Sequence, residues 1–346
     1  MKRIDNLDTC RAIAILLVVF SHLGQSWNRS GLIDQSSILF RLTSLGAHGV
    51  ELFFIISGYL MSLIYSKDGF RVNPFIRRRV ARIAPLWYFY LLVWVVIHLV
   101  LKTSPFVEST TTWILLILIA SSITTDASNS FLQGNFSISN EWLFYLMFPI
   151  LRKLRSQFLL YLGIACFLFA VALKISFGFY SGIPNQFTDR EKWIGIFAIW
   201  NALPFFVLGI LLQRHLCGRS KFKSSSLNIL GVCIIGYCLG VFALKIDSYR
   251  EIFGPLILLV FIYVLNLGTK SQILTWLGQR SYGIFFAHFL LIGGYERAIA
   301  ALGHSLAPFT ALIQIVFVLL GSSVVAALTW KYVEKPMAST VRRSQT

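Results

Sequence analysis

The chain has 346 residues, of which 56% are hydrophobic and only 13% charged, and its mean hydropathy is +0.72. A soluble domain carries about twice that charged fraction, so a water-soluble globular fold is excluded and the apolar surface requires lipid. The formal net charge of +17 would suggest nucleic acid in a soluble protein. Here basic cytoplasmic loops facing anionic lipid account for it, and no nucleic-acid partner is expected.

Membrane-length apolar runs occur at 11–27, 47–65, 84–101, 136–151, 157–175, 193–213, 227–244, 253–268, 281–295 and 310–330. A further run at 113–124 is too brief to cross and reads as re-entrant or interfacial. Basic residues crowd into Lys67–Arg82, Arg152–Arg155, Arg214–Lys223, Lys270–Arg280 and Lys331–Arg343, besides Lys2 and Arg3. If 113–124 does not cross, all these clusters fall on one side. The expected fold is therefore all-α, a polytopic bundle of about ten spans with both termini cytoplasmic. One membrane domain over 1–346 is expected, with no additional soluble domain. Five scattered cysteines, an odd number without metal-ligand spacing, read as small apolar residues, and no metal site is expected.

The first span carries the sharpest constellation. Asp8, Arg11, Ile15, Val18 and His22 recur at helical spacing. Eleven steps of about 100° return His22 to within about 20° of Arg11, roughly 16 Å along the axis. Ionisable groups inside a span face a bundle interior or a polar cavity. A signal anchor is the bland alternative, but no small-residue cleavage site follows. In the second span His48 and Glu51 lie one turn apart near the outer end, while Ser57-Gly58 suits close helix approach.

Four arginines follow in Arg77-Arg78-Arg79-Val80-Ala81-Arg82. The positive-inside rule explains a basic loop, but not the choice of guanidinium at all four positions. Arginine suits bidentate contact with phosphate, and a helix would present Arg78, Arg79 and Arg82 as one patch for a phosphorylated cytosolic donor. Further on, Ser139 or Asn140 is placed to cap a helix whose first turn holds Glu141. Glu141 also heads a stripe with Tyr145 and Phe148, at a depth similar to His22. A carboxylate and an imidazole at one level form an acid/base pair. His288 is a second intramembrane histidine, read as an interhelical hydrogen-bonding residue. A transporter or flippase of a polysaccharide precursor would also place Arg, His and Glu inside spans, although no internal repeat is visible.

Taken together, these motifs resemble the acyltransferase-3 family of integral membrane O-acyltransferases. The resemblance rests on Leu7-Asp8 with Arg11 and His22, on Gly49-Val50-Glu51-Leu52-Phe53-Phe54 to Tyr59, and on Phe75 to Pro85. It continues through Ser137-x-Ser139-x-Glu141 to Pro149, Ser281-Tyr282 to His288, and Glu334-x-Pro336, and covers about 5–337. Phe136 stands where the family usually has Trp, and Asn140 where an aliphatic residue is common. The resemblance implies a ten-span enzyme of the bacterial inner membrane that moves an acyl group, most often acetyl, from cytosolic acetyl-CoA. The implied acceptor is a hydroxyl of a lipid-linked or polymeric sugar, as in lipopolysaccharide O-antigen, exopolysaccharide or peptidoglycan. It implies that Arg11 and His22 are needed for activity; a neutral imidazole at His22 would serve as general base on the acceptor hydroxyl or take the acyl group itself. It likewise matches paired arginines to Arg79 and Arg82 and the Ser-x-Ser-x-Glu motif to Ser137, Ser139 and Glu141, with Tyr145, Tyr282 and His288 in the flanking motifs.

Overall fold

Residues 5–65, 69–101, 109–128, 130, 134–177, 188, 193, 197–216, 271–303 and 307–337 are described by a computed structural model, and every regular element among them is helical. The helices are α1 Asp5–Arg29, α2 Ile38–Ser44, α3 Gly49–Ile64, α4 Val72–Val100, α5 Thr110–Ile117 and α6 Thr125–Ser128. They continue with α7 Asn135–Leu151, α8 Ser156–Ser176, α9 Ile199–Leu216, α10 Gln272–Gln279, α11 Ser281–Ala301 and α12 Pro308–Thr329. Eight of the expected spans coincide with α1, α3, α4, α7, α8, α9, α11 and α12. The expected spans 227–244 and 253–268, and both chain ends, lie outside the described residues. Six helical stretches among the described residues are long and apolar enough to cross a membrane.

The chain divides into two compact units, Met1–Phe53 with Tyr249–Pro336, and Phe54–Ser248 with Met337–Thr346. In the first, α1 packs along α2, α10 and α11, and α11 along α12. Leu7, Cys10, Ala14, Ile15, Val18, Val19 and Leu23 bury one side of α1. Gly278 in α10 fixes the approach to its N-terminal end, because a Cβ there would stand 1.8 Å from the Asp8 carbonyl oxygen. Any side chain would push the two backbones apart.

In the second unit α4 runs 29 residues, about 43 Å at 1.5 Å per residue. That exceeds a hydrocarbon core of about 30 Å, so the arginine-bearing first turns extend beyond it. The arginines that read as a basic loop are thus part of a helix continuous with the span. At Pro85 the ladder lacks one N–H, between the arginine segment and the aromatic segment. Helices α3 and α9 meet backbone to backbone. A Cβ on Gly58 would lie 2.0 Å from the Phe206 carbonyl oxygen, and one on Gly209 2.1 Å from that of Ile55. This is the close approach expected of Ser57-Gly58.

Segment 113–124 forms no helix of membrane-spanning length. Helix α5 has eight residues, about 12 Å, and ends where Trp87 Nε1 donates to the Leu116 carbonyl (2.9 Å) and Tyr88 donates to that of Ile117 (2.6 Å). Two of its orphan C-terminal carbonyls are met by α4. The chain then turns at Ile119, a β-branched residue at φ 57°, into a 3₁₀ turn at Ser121–Ile123. A left-handed β-branched residue costs about 1–2 kcal/mol, which the buried surroundings of Ile119 must offset.

Candidate functional site

In the first unit α1 is continuous from Asp8 through His22, so the helical stripe exists as one face. Asp8 sits near the helix start, where a carboxylate is favoured by the dipole, and accepts from Arg11 Nη1 at 2.8 Å. Asp8 is buried and Arg11 half-buried, so the pair is shielded from water. Three turns on, His22 meets two rings of α11 at tilted angles: its ring centroid lies 5.3 Å from that of His288 and 4.5 Å from that of Phe289. His288 is fully buried, with Nδ1 3.1 Å from the Ile284 carbonyl oxygen. A carbonyl only accepts, so Nδ1 carries the hydrogen, and Nε2 is buried without a hydrogen-bond partner among the described residues. The histidine read as a helix-packing residue therefore adjoins the histidine read as the base. Elsewhere in this unit His48 Nδ1 meets Glu51 Oε2 at 2.7 Å, and Tyr282 is half-buried in the first turn of α11.

In the second unit the buried Glu141 carboxylate gathers hydroxyl donors. Ser57 in α3 donates to Oε1 at 2.8 Å, and Tyr145, one turn further along α7, donates a short hydrogen bond to the same oxygen. Above Tyr145 lies Arg79 of α4, its guanidinium carbon 5.4 Å from the Tyr145 ring centre and 5.9 Å from that of Phe75. Arg79 is 8% exposed, and its Nε and Nη1 are buried with no hydrogen-bond partner among the described residues. A guanidinium with two empty donors beside aromatic faces is costly unless an anion completes it. Arg82, half-buried one turn on, lies within electrostatic range of the same tyrosine. Arg78 diverges from them: its Nε donates to Tyr65 at 3.1 Å.

The Ser-x-Ser-x-Glu residues do not converge on one point. Ser137 donates to the Gly134 carbonyl at 3.0 Å, and Ser139 pairs with Ser122, hydroxyl to hydroxyl at 2.8 Å, while accepting from the Ser122 N–H. Ser139 thus anchors the 3₁₀ turn that follows α5. Helix α7 is not capped by Ser139 or Asn140. It starts at Asn135 after Gly134 at φ 74°, a conformation glycine adopts without strain. Glu141 consequently lies in the second turn, away from the first-turn dipole position expected for it.

The acyltransferase domain family matches residues 4–331. The chain belongs to this family. Among its relatives are the peptidoglycan O-acetyltransferase OatA of Listeria monocytogenes, 23% identical over 97% of this chain and 56% of the relative. The putative peptidoglycan O-acetyltransferase YrhL of Bacillus subtilis is 25% identical over 99% of this chain and 56% of its own length. The O-acetyltransferase OatA of Staphylococcus aureus (strain NCTC 8325 / PS 47) is 22% identical over 84% and 51% respectively. The chain spans about half the length of these curated relatives. No solved structure matches it.

For this acyltransferase domain the structure assembles two sets of side chains. Asp8 with Arg11 and His22 with His288 occupy one unit, while Glu141, Tyr145, Ser57, Arg79 and Arg82 occupy the other. Ser57 escaped the sequence reading as a polar partner, because its pairing with Gly58 already explained a small residue there. The available signal was a hydroxyl at mid-span, where a polar group requires a partner.

Proposed function

We propose that the chain is a membrane O-acyltransferase that moves an acetyl group from cytosolic acetyl-CoA to a hydroxyl of a cell-envelope glycan. The observation that carries this reading is Arg79, buried beside Tyr145 and Phe75 with two donors unfilled among the described residues. Such a fork suits a phosphate oxygen of the donor, and Arg82 one turn away extends the positive potential. His22 takes the proton of the acceptor hydroxyl. The oxygen attacks the thioester carbonyl carbon, the C–S bond breaks, and the coenzyme A thiolate leaves and takes up a proton. Glu141, held by Ser57 and Tyr145, supplies a fixed negative charge. The named relatives favour peptidoglycan as the acceptor over O-antigen or exopolysaccharide.

The experiment is acetyl transfer by the purified protein in detergent from radiolabelled acetyl-CoA to glycan fragments, comparing wild type with His22→Ala. The variant is expected to lose roughly 10²–10⁴-fold in rate while remaining folded. Near-normal transfer by folded His22→Ala would remove this residue as the base. No transfer by the wild type to any envelope glycan would favour a transporter without covalent chemistry.

A further inference from the structure

One helical turn outward of His22 lies a polar chain that the acyl-transfer steps leave unused. Trp27 Nε1 donates to Gln314 Oε1 at 2.9 Å, and Gln314 Nε2 donates to Ser26 Oγ at 3.1 Å. Ser26 donates a short hydrogen bond to Glu296 Oε1, which also accepts from Arg29 Nη2 at 3.1 Å. The direction of this chain is forced. An indole is a donor only, so the Gln314 oxygen must face Trp27 and its NH₂ must face Ser26. With a lone pair of Ser26 so occupied, its proton points to the carboxylate. Ser26 and Gln314 are fully buried. The outcome is a preorganised carboxylate in which both donors use Oε1, while Oε2 has no hydrogen-bond partner among the described residues. The Glu296 side chain is 32% exposed and therefore reachable.

The space between His22 and Glu296 is bordered by one face of α11. Phe289, Gly293 and Glu296 follow one another along one face of α11. Phe289 touches His22 and Glu296 reaches Ser26 and Arg29, so this face meets α1 at both levels. Between them, a Cβ placed on Gly293 would find nothing within 4 Å among the described residues. A glycine inside a helix is destabilising by about 1 kcal/mol relative to alanine, and close packing among the described residues does not explain this one.

We propose that this gap, floored by His22 and Phe289 and roofed by Glu296 and Arg29, is the acceptor subsite, and that it takes a hydroxyl-rich glycan chain. Glu296 Oε2 receives a sugar hydroxyl, Arg29 donates to a ring or hydroxyl oxygen, and the missing side chain at Gly293 leaves room for the sugar ring. The inference rests on the acyltransferase reading and locates its second substrate.

The test uses the purified full chain in detergent with acetyl-CoA and a soluble β-1,4-linked N-acetylglucosamine oligomer as probe. Glu296→Gln retains shape but loses the charge, and Gly293→Leu fills the gap. Each is expected to raise the apparent KM for the oligomer at least tenfold while moving that for acetyl-CoA by less than twofold. A role limited to joining helices would lower the active fraction, and hence kcat, without this split. If Gly293→Leu does not fold, Glu296→Gln decides alone. An oligomer KM within twofold of wild type in the folded variants overturns the subsite while the acyltransferase reading stands. Wild-type protein that transfers acetyl to water but never to the oligomer overturns the glycan assignment. Wild-type protein that releases no coenzyme A overturns the acyltransferase reading, and the subsite with it.

Discussion

Replacing Arg79 by methionine should separate binding from folding, because the two effects have opposite signs. In the free protein Arg79 holds two buried donors, Nε and Nη1, without partners among the described residues. Each unsatisfied buried group costs about 1–3 kcal/mol, together about 2–6 kcal/mol. The rings of Phe75 and Tyr145, at 5.9 and 5.4 Å, return about 1–2 kcal/mol each. Methionine fills similar volume with no polar atom, so the balance for Arg79→Met runs from about 2 kcal/mol less stable to about 4 kcal/mol more stable than wild type, centred on the stabilising side. With donor phosphate bound, the same two N–H groups make charge-assisted hydrogen bonds worth about 1.5–3 kcal/mol each. Their loss, about 3–6 kcal/mol, should raise the apparent KM for acetyl-CoA roughly 10²–10⁴-fold. Arg79→Lys should recover only part, since the planar fork is gone. Thermal unfolding in detergent, with and without acetyl-CoA, and donor-dependent initial rates supply both readouts. A destabilised Arg79→Met protein with an unchanged donor KM would show that the guanidinium serves the fold and refute the phosphate assignment.

Glu141→Gln should lower the transfer rate about tenfold, because a charge-assisted hydrogen bond is roughly twice as strong as a neutral one. Combined with Tyr145→Phe, its effect should fall short of additive, and strict additivity in a double-mutant cycle would deny that their shared hydrogen bond matters. Gly58→Ala should destabilise the protein by about 1–3 kcal/mol, measured by unfolding in detergent, because its methyl would meet the Phe206 carbonyl. A cysteine introduced at the exposed Arg71, in a protein whose native cysteines are silent, should resist an impermeant thiol reagent in intact cells. Labelling from outside would invert the expected topology.

Much of the fold was legible because lipid leaves few choices. An apolar run of sufficient length must be a helix, and α1, α3, α8, α11 and α12 follow that rule closely. Two boundaries were not legible. Helix α4 begins 12 residues before its expected span, since arginine is a good helix former and charge marks only where lipid ends. Helix α7 begins before both expected caps, because the left-handed turn at Gly134 and the Asn135 amide, which donates to Ala127 and Ser130, depend on a preceding segment with little periodicity.

Within the candidate site, spacing along one helix was readable and pairing between helices was not. Asp8 and Arg11 stand three residues apart, and helical geometry alone makes them neighbours. The same arithmetic joins Glu141 to Tyr145. Nothing local could join His22 to His288, or Ser57 to Glu141, since those distances depend on how α1 meets α11 and α3 meets α7. That limit also decided how His288 was read. A lone histidine in a span is most simply a hydrogen-bonding residue, and its Nδ1 does serve the Ile284 carbonyl. Yet that same bond fixes the hydrogen on Nδ1, and Nε2 is buried beside a second imidazole without a partner among the described residues. A residue recruited only to pair helices would spend its polar atoms across the interface. Here one atom is spent within its own helix and the other has no partner among the described residues, so interhelical hydrogen bonding does not account for this histidine.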